Sequence, residues 1–390
     1  MSMDRREVME EPIRVLQWGM TDGLGGLETF MMNVYRYIDR NKVQFDFLLS
    51  HDASPLVFEH EIKQLGGRVF RVMYPARESI TKARSSLIQF YREHPEYRIV
   101  HVNANYPYAY PLKIAKQEGV PCRVLHSHNA GSHTNGTAPY VKRLIRQVRD
   151  RQVHAQIEKY PTDYFACSEK AAQYMFPDKP FTWIKNGIDI NRFAFDSVVR
   201  DAMREKLGIS NSTTVIGFCG NFREQKNPMK LLEIFREYRL LNPDSVLLLV
   251  GDGVLRPRME RYVDENNLND FVMFLGIRKD VEKLYQAMDA FVLPSCSEGL
   301  GIVYVEAQCS GLPCLATQDA VPMQAKVSDL MCFVPQESEA AYWAKMLEQQ
   351  LSCFPIRKDC SEQVRAAGYD IRDVAASLES WYISKVAVRQ

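Results

Sequence analysis

Apolar positions in this chain come in short, nearly uninterrupted runs separated by polar turns, with longer amphipathic stretches between them. Ile13 to Trp18 reads as a first strand, after which Leu27, Phe30, Met31, Val34 and Tyr35 recur at helical spacing. Further strands are predicted at Gln44–Leu49, Arg68–Met73, Tyr97–Asn103, Cys122–His128 and Tyr164–Cys167. Helices are predicted up to Leu65, over Ser79–Glu93 and Pro111–Gln117, and over Glu169–Met175 with Ser168 as its cap. After Phe181–Ile184, a helix at Val198–Leu207 and a loop at Gly208–Ser212, the pattern restarts. Its strands fall at Thr213–Cys219, Val246–Val250, Phe271–Leu275, Ala290–Leu293, Cys314–Thr317 and Met331–Val334. Helices are predicted at Arg256–Asn266, at Val281–Met288 with Asp280 as its cap, and around Val374–Tyr382. Wholly apolar strands alternating with helices predict parallel sheets covered on both faces, an α/β class. The two runs predict Rossmann-like domains at 1–180 and 181–370 facing across a cleft, with 371–390 a helix crossing back to the first.

Composition narrows this picture only a little. With 390 residues, two cores are a better expectation than one. The chain carries 49 Lys and Arg against 48 Asp and Glu, so its net charge of +1 steers it toward no particular partner. Nine cysteines, an odd number with no CxxC pair, fit neither a zinc site nor a complete disulfide framework and suit a reducing cytosol. The charged start, MSMDRREVMEEP, does not read as a signal peptide, and no apolar run reaches the roughly twenty residues that span a bilayer. The expectation is a cytoplasmic protein, at most peripheral to the membrane.

The turns after the strands carry the chemistry. Gly19, Gly23, Gly25 and Gly26 crowd the turn after the first strand, where a phosphate or sugar can approach backbone amides; a tight turn without ligand is the alternative. The run is not GxGxxG and lacks a clear acidic residue about twenty positions on, which argues against a dinucleotide site. His126, His128 and His133 lie close together. His126 and His128 would share a strand face, but no carboxylate or cysteine completes a metal set, leaving a sugar- or phosphate-contacting role or a structural one. Val141, Leu144, Ile145, Val148 and Val153 alternate with Lys142, Arg143, Arg146, Arg149 and Arg151, a basic amphipathic helix suited to an anionic membrane surface or simply to water. In the second half, Gly220 frees the backbone after a strand, and Arg223 and Lys226 bracket the next helix start as a diphosphate clamp. The segment DAFVLPSCSEGLGIVYVEAQCSGLP, Asp289 to Pro313, places Glu298 and Glu306 about a helix start, where amides favour anions.

Together these motifs resemble the retaining GT-B glycosyltransferases of the glycosyl transferases group 1 family (family 4), in its bacterial exopolysaccharide and capsule branch. The resemblance runs from about Ile13 to beyond Pro313 and rests most specifically on E-x7-E, here EGLGIVYVE, preceded by Leu293–Ser295. GGLET at Gly25–Thr29, HSHN at His126–Asn129, ACSE at Ala166–Glu169, NGID at Asn186–Asp189 and QKN at Gln225–Asn227 support it. The resemblance implies that Glu306 accepts from a nucleotide ribose and that Glu298 lies near the donor sugar. It implies that the amides of Gly299, Leu300 and Gly301 meet sugar or diphosphate, that Lys226 holds the diphosphate, and that Gly25 and Gly26 close on it from the other domain. His126 would face the donor hexose and the acceptor. The chain departs from the family in having Gly220-Asn221 where Gly-Arg is usual, with Arg223 two residues later to take the arginine's place.

The reaction implied is metal-independent hexosyl transfer from a nucleoside diphosphate sugar, a UDP-sugar being favoured, to an acceptor hydroxyl with retention, in surface polysaccharide or glycan assembly. His126, Glu298, Arg223 and Lys226 are its expected catalytic group. The donor is a substrate, and no cofactor or metal is expected. A glycan or lipid-linked acceptor is the expected partner, with peripheral contact at the inner membrane face and no nucleic acid. Two other readings stand beside it: a glycosidase-like carboxylate pair at Glu298 and Glu306, and a GT-B scaffold that keeps a nucleotide cleft without catalysis.

Overall fold

The computed structural model describes residues 11–23, 25–74, 79–131 and 153–387. His133 and the basic stretch from Val141 to Arg151 lie outside them, and with them the expected membrane-facing helix. Among the described residues no helix is long and apolar enough to cross a membrane.

Two all-parallel sheets organise the chain. The first is built from β1 (Ile13–Trp18), β2 (Val43–Ser50), β3 (Val69–Val72), β4 (Ile99–Ala104), β5 (Cys122–Ser127), β6 (Asp163–Ala166) and β7 (Thr182–Trp183), in the order β3-β2-β1-β4-β5-β6-β7. The second is built from β8 (Thr214–Cys219), β9 (Ser245–Val250), β10 (Val272–Gly276), β11 (Ala290–Leu293), β12 (Cys314–Thr317) and β13 (Met331–Val334), in the order β10-β9-β8-β11-β12-β13. Every residue of β4, β11 and β12 is buried, because helices cover both faces of these sheets. The α/β expectation, with two Rossmann-like sheets, holds.

Each sheet reverses its strand order once, between β1 and β4 and between β8 and β11. At such a point the connections leave in opposite directions and open a crevice at the carboxyl ends of the strands. The glycine-rich turn after β1 and the Pro294–Gly301 turn after β11 stand at those two crevices.

Helices follow their periodicity. Helix Gly26–Tyr37 buries Leu27, Phe30, Met31, Val34 and Tyr35, the positions expected from spacing. Ser168 caps Glu169–Met175 by accepting from the Ala171 amide at 3.1 Å. Asp280 does not cap its helix as expected: Arg278 claims both carboxylate oxygens at 2.8 and 2.7 Å, and a charged fork outcompetes a lone amide. The terminal helix Ile371–Ala387 turns Ile371, Val374, Ala375, Leu378 and Tyr382 onto the first sheet's core beside Val15, Phe45, Val124 and Phe165. Glu379 secures it by accepting from the Asp39 amide at 3.0 Å and pairing with Lys42 at 3.0 Å.

Candidate active site

The turn after β1 is held by a side chain of the GGLET motif to which motif reading gave no role. Glu28 is buried and accepts from the Thr21 hydroxyl at 2.6 Å, the Thr21 amide at 3.2 Å and the Gly25 amide at 3.1 Å. Its position three residues past the helix cap is the capping-box spacing, a local signal that could have identified it. Gly26, next along, is exposed, and a side-chain carbon there would meet nothing within 4 Å, so its backbone is open to an approaching group.

At the opposite crevice, Lys226 donates to both oxygens of Glu298 at 2.7 and 2.9 Å, and Ser295 donates to one of them at 2.5 Å. The Gln225 amide side chain donates to the Ser297 carbonyl at 2.9 Å, and the Cys296 amide donates to the Gln225 carbonyl at 2.8 Å. Thus the loop bearing Lys226 and the loop bearing Glu298 are stitched together by backbone as well as charge. Gly301, at φ +80°, turns the chain into helix Ile302–Cys309. That position favours glycine because a β-carbon crowds the backbone in left-handed geometry.

The expectation that both glutamates flank the helix start needs correction. Glu298 lies in the turn before the helix, while Glu306 lies a full turn inside it. Their surroundings also differ. Glu306 is buried beside Tyr285, whose hydroxyl donates to it at 3.0 Å, and burial raises its carboxyl to about 7 despite that hydrogen bond.

Arg223 is exposed and sits one 3-10 turn before Lys226, whose amide donates to the Arg223 carbonyl at 2.9 Å. Asn221 is also exposed, with its side-chain oxygen 2.6 Å from where a β-carbon on Gly253 would stand. The helix after Lys226 begins with Pro228, so its first position offers no amide to an anion, and the positive charge here is chiefly side-chain charge.

The two crevices meet. The Ser168 hydroxyl, besides capping its helix, donates to the Gly299 carbonyl. Ser297 donates to the Gly131 carbonyl at 3.3 Å, and Lys170 donates to the Asp319 carbonyl. A β-carbon on Gly299 would lie 2.4 Å from the His128 carbonyl oxygen, so this contact between the two halves requires glycine. Leu300 is buried next to it.

On the first-sheet side, His101 within β4 stands beside His126 and His128 at the end of β5. His101 Nε2 lies 3.2 Å from His126 Nδ1, and the rings of His126 and His128 are 3.9 Å apart. Phe30 packs on both of the latter. His101 Nδ1 meets the Tyr382 hydroxyl at 2.6 Å, and His128 Nε2 meets Asn103 Oδ1 at 3.0 Å. Burial, with the neighbouring imidazoles adding to it, pushes His126 well below its usual value; burial takes His128 to about 3, and burial plus His128 takes His101 to about 3. All three rings are therefore neutral near pH 7. His126 and His128 do share a face, as alternation predicts, but one nitrogen of each ring goes to a neighbour, and among the described residues no set of three His, Cys, Asp or Glu side chains forms a metal cluster.

Comparison with known proteins decides the family. Residues 199–367 match the model of glycosyl transferases group 1, and residues 24–192 match that of glycosyltransferase family 4. EpsF of Bacillus subtilis (strain 168), a provisionally named glycosyltransferase, is 31% identical over 92% of this chain and 94% of its own length. The chain belongs to the group 1 glycosyltransferases. An Escherichia coli relative of this glycosyltransferase, UDP-Gal:alpha-D-GlcNAc-diphosphoundecaprenol alpha-1,3-galactosyltransferase, is 31% identical over 70% of this chain and 72% of its own length. This chain's fold is similar to that of Anabaena HepE, crystallised with UDP: the TM-score is 0.75 at 18% identity, covering 95% of this chain and 100% of the other. Two Rossmann-like domains of this kind are the GT-B architecture.

Proposed function

We propose that this glycosyltransferase moves a hexosyl unit from a UDP-sugar to an acceptor hydroxyl with retention of configuration, in the assembly of a surface polysaccharide. The observation that carries the reading is the convergence at one contact of the Lys226–Glu298–Ser295 cluster, the Gly299 turn and the His126–His128 strand end. In this reading Lys226 and Arg223 offset the charge that develops on the departing diphosphate, assisted by amides of Gly299, Leu300 and Gly301. Gly25 and Gly26 approach the phosphates from the first sheet. Glu306 accepts from ribose hydroxyls, and Glu298 orients Lys226 and the sugar. The bond from the anomeric carbon to the β-phosphate oxygen breaks as the bond to the acceptor oxygen forms on the same face, and the acceptor proton passes to the leaving phosphate. No step requires a metal, because cationic side chains and amides supply the positive charge.

The name of the Escherichia coli relative joins a UDP-galactose donor to a diphosphoundecaprenol-linked acceptor, and HepE was crystallised with UDP. Both support a UDP donor, and the first supports a lipid-linked acceptor reached at the inner membrane face. The test is a thermal-shift screen of UDP-glucose, UDP-galactose, UDP-N-acetylglucosamine and GDP-mannose, followed by turnover with lipid-linked acceptors and NMR of the product's anomeric proton. Stabilisation by one UDP-sugar and an α-linked product from its α-configured donor are expected; an inverted product would overturn retention. Asn221 in the place of the usual arginine favours one competing reading, a nucleotide-binding scaffold without catalysis. Tight UDP binding without turnover of any donor–acceptor pair would support that alternative.

A further inference from the structure

His126 Nε2 and His128 Nδ1 are both buried, and neither has a hydrogen-bond partner among the described residues. Which of them carries a proton can be worked out from one backbone carbonyl. Trp18 O can only accept, so the Asn103 side-chain atom 3.3 Å away is the NH2 group. That group also donates to Gln17 Oε1 at 2.9 Å, which turns Gln17 Nε2 toward the Tyr382 hydroxyl at 3.5 Å. Gln17 Nε2 can only donate, so among the described partners of the Tyr382 hydroxyl the acceptor for its proton is His101 Nδ1, 2.6 Å away. His101 then carries its proton on Nε2 and donates it to His126 Nδ1 at 3.2 Å, which leaves His126 protonated on Nε2. The same Asn103 presents its oxygen to His128 at 3.0 Å, so His128 is also protonated on Nε2 and its Nδ1 is a bare acceptor.

We propose that Tyr382, on the terminal helix, is a positioning residue that acts through His101 to hold His126 as a hydrogen-bond donor, while Asn103 holds the adjacent His128 as an acceptor, so that the two rings together select a hydroxyl group, which can accept from one and donate to the other. The identity of the occupant as a sugar hydroxyl rests on the glycosyltransferase reading above; the proton arrangement does not. Burial, which keeps all three imidazoles neutral, supports the arrangement because each ring then has one donor and one acceptor nitrogen. The terminal helix thereby reaches His126 through hydrogen bonds and not only by packing: Tyr382 is buried and contacts Phe45 and His101 edge-on.

The test is long-range proton–nitrogen correlation NMR on the full chain labelled with 15N-histidine, near pH 7. Signals are assigned by single His→Gln variants. His101, His126 and His128 are expected as neutral Nε2–H tautomers. In Tyr382→Phe, which keeps the ring and removes only the hydroxyl, His101 and His126 are expected to become tautomer mixtures while His128 is unchanged. An Nδ1–H tautomer at His126 in the unaltered protein, or unchanged tautomers in Tyr382→Phe, would overturn the proposal, and neither observation depends on knowing the donor. The kinetic arm predicts that Tyr382→Phe lowers kcat/KM for the UDP-sugar roughly tenfold, the scale of one hydrogen bond, with the Kd for UDP alone unchanged. Full kcat/KM in that variant would overturn the hydroxyl-selecting role; a lost Kd for UDP would reassign Tyr382 to general structure.

Discussion

Glu306 shows how one residue's surroundings set its chemistry. Its carboxyl is raised to about 7 from an ordinary 4.5, burial outweighing the Tyr285 hydrogen bond. Because the folded value lies above the unfolded one, the stabilising contribution of the protonated form is complete below about pH 4.5 and is lost as pH rises through about 7. Glu306→Gln should therefore gain stability relative to the unaltered protein between pH 5 and pH 8, by roughly 3 kcal/mol at most, as read by urea unfolding at each pH. Ribose hydroxyls donating to Glu306 would favour the carboxylate. UDP binding should then tighten from pH 6 to pH 8 and release protons near pH 7, detectable by calorimetry in buffers of different ionisation enthalpy. Equal proton release in Glu306→Gln would contradict the role. The same variant should raise the donor KM more than it lowers kcat.

Lys226 and Glu298 make a second residue-scale case. The Glu298 side chain is only 6% exposed against 21% for Lys226, so Lys226→Ala leaves a buried carboxylate short of its cation. A loss on the order of 2 kcal/mol is expected, below the range for fully buried pairs. Adding Glu298→Gln should recover much of that stability without recovering turnover if Lys226 holds the diphosphate as proposed, since its positive charge is still missing. Recovery of both would assign the pair to structure alone.

At the scale of elements, the Pro294–Gly301 turn links a buried strand to a helix and to the other half of the protein. Gly299 is required by the His128 carbonyl, Gly301 by its own φ. Gly301→Ala should lower stability by about 1–2 kcal/mol through backbone strain. Gly299→Ala should instead push the His128 segment away, lowering kcat/KM at least tenfold with a Tm change of no more than a few degrees; a larger loss of Tm than of activity would count against this division. The strands were legible because parallel strands buried on both faces must be apolar throughout, and most predicted strands match to within a residue or two. The Asp280 cap misled for a physical reason: capping spacing is local, whereas the Arg278 fork that captured the carboxylate depends on how that loop lies. The placing of both Glu298 and Glu306 about the helix start failed similarly, since the glycines that permit the turn also delay the helix to Ile302.

For the whole molecule, the terminal helix is both a structural cover and, through Tyr382, a support for the cleft. Leu378 is almost wholly buried in the first sheet's core. Leu378→Ala should cost about 2–5 kcal/mol, measured by urea unfolding, and should loosen the first sheet's face before the second sheet unfolds. The site motifs GGLET, HSHN, QKN and EGLG were readable because each is a contiguous run whose residue types suit a turn beside an anion or a sugar. Glu28 was readable in principle from its capping-box spacing. His101, Asn103, Gln17 and Tyr382 were not: they lie on β4, β1 and the last helix, and no periodicity relates a histidine to a tyrosine 281 positions away.

The sequence by itself therefore determined the parallel strands, the glycine turns at their ends and the chemical groups those turns carry, because burial on two faces and tight turns act on neighbouring residues. Only the tertiary structure decided which strand ends stand together, that Lys226 clasps Glu298, and which neighbours the histidine nitrogens meet. Those depend on the reversal of strand order and on hydrogen bonds between side chains far apart in the chain, which exist only once the sheets and the terminal helix have packed.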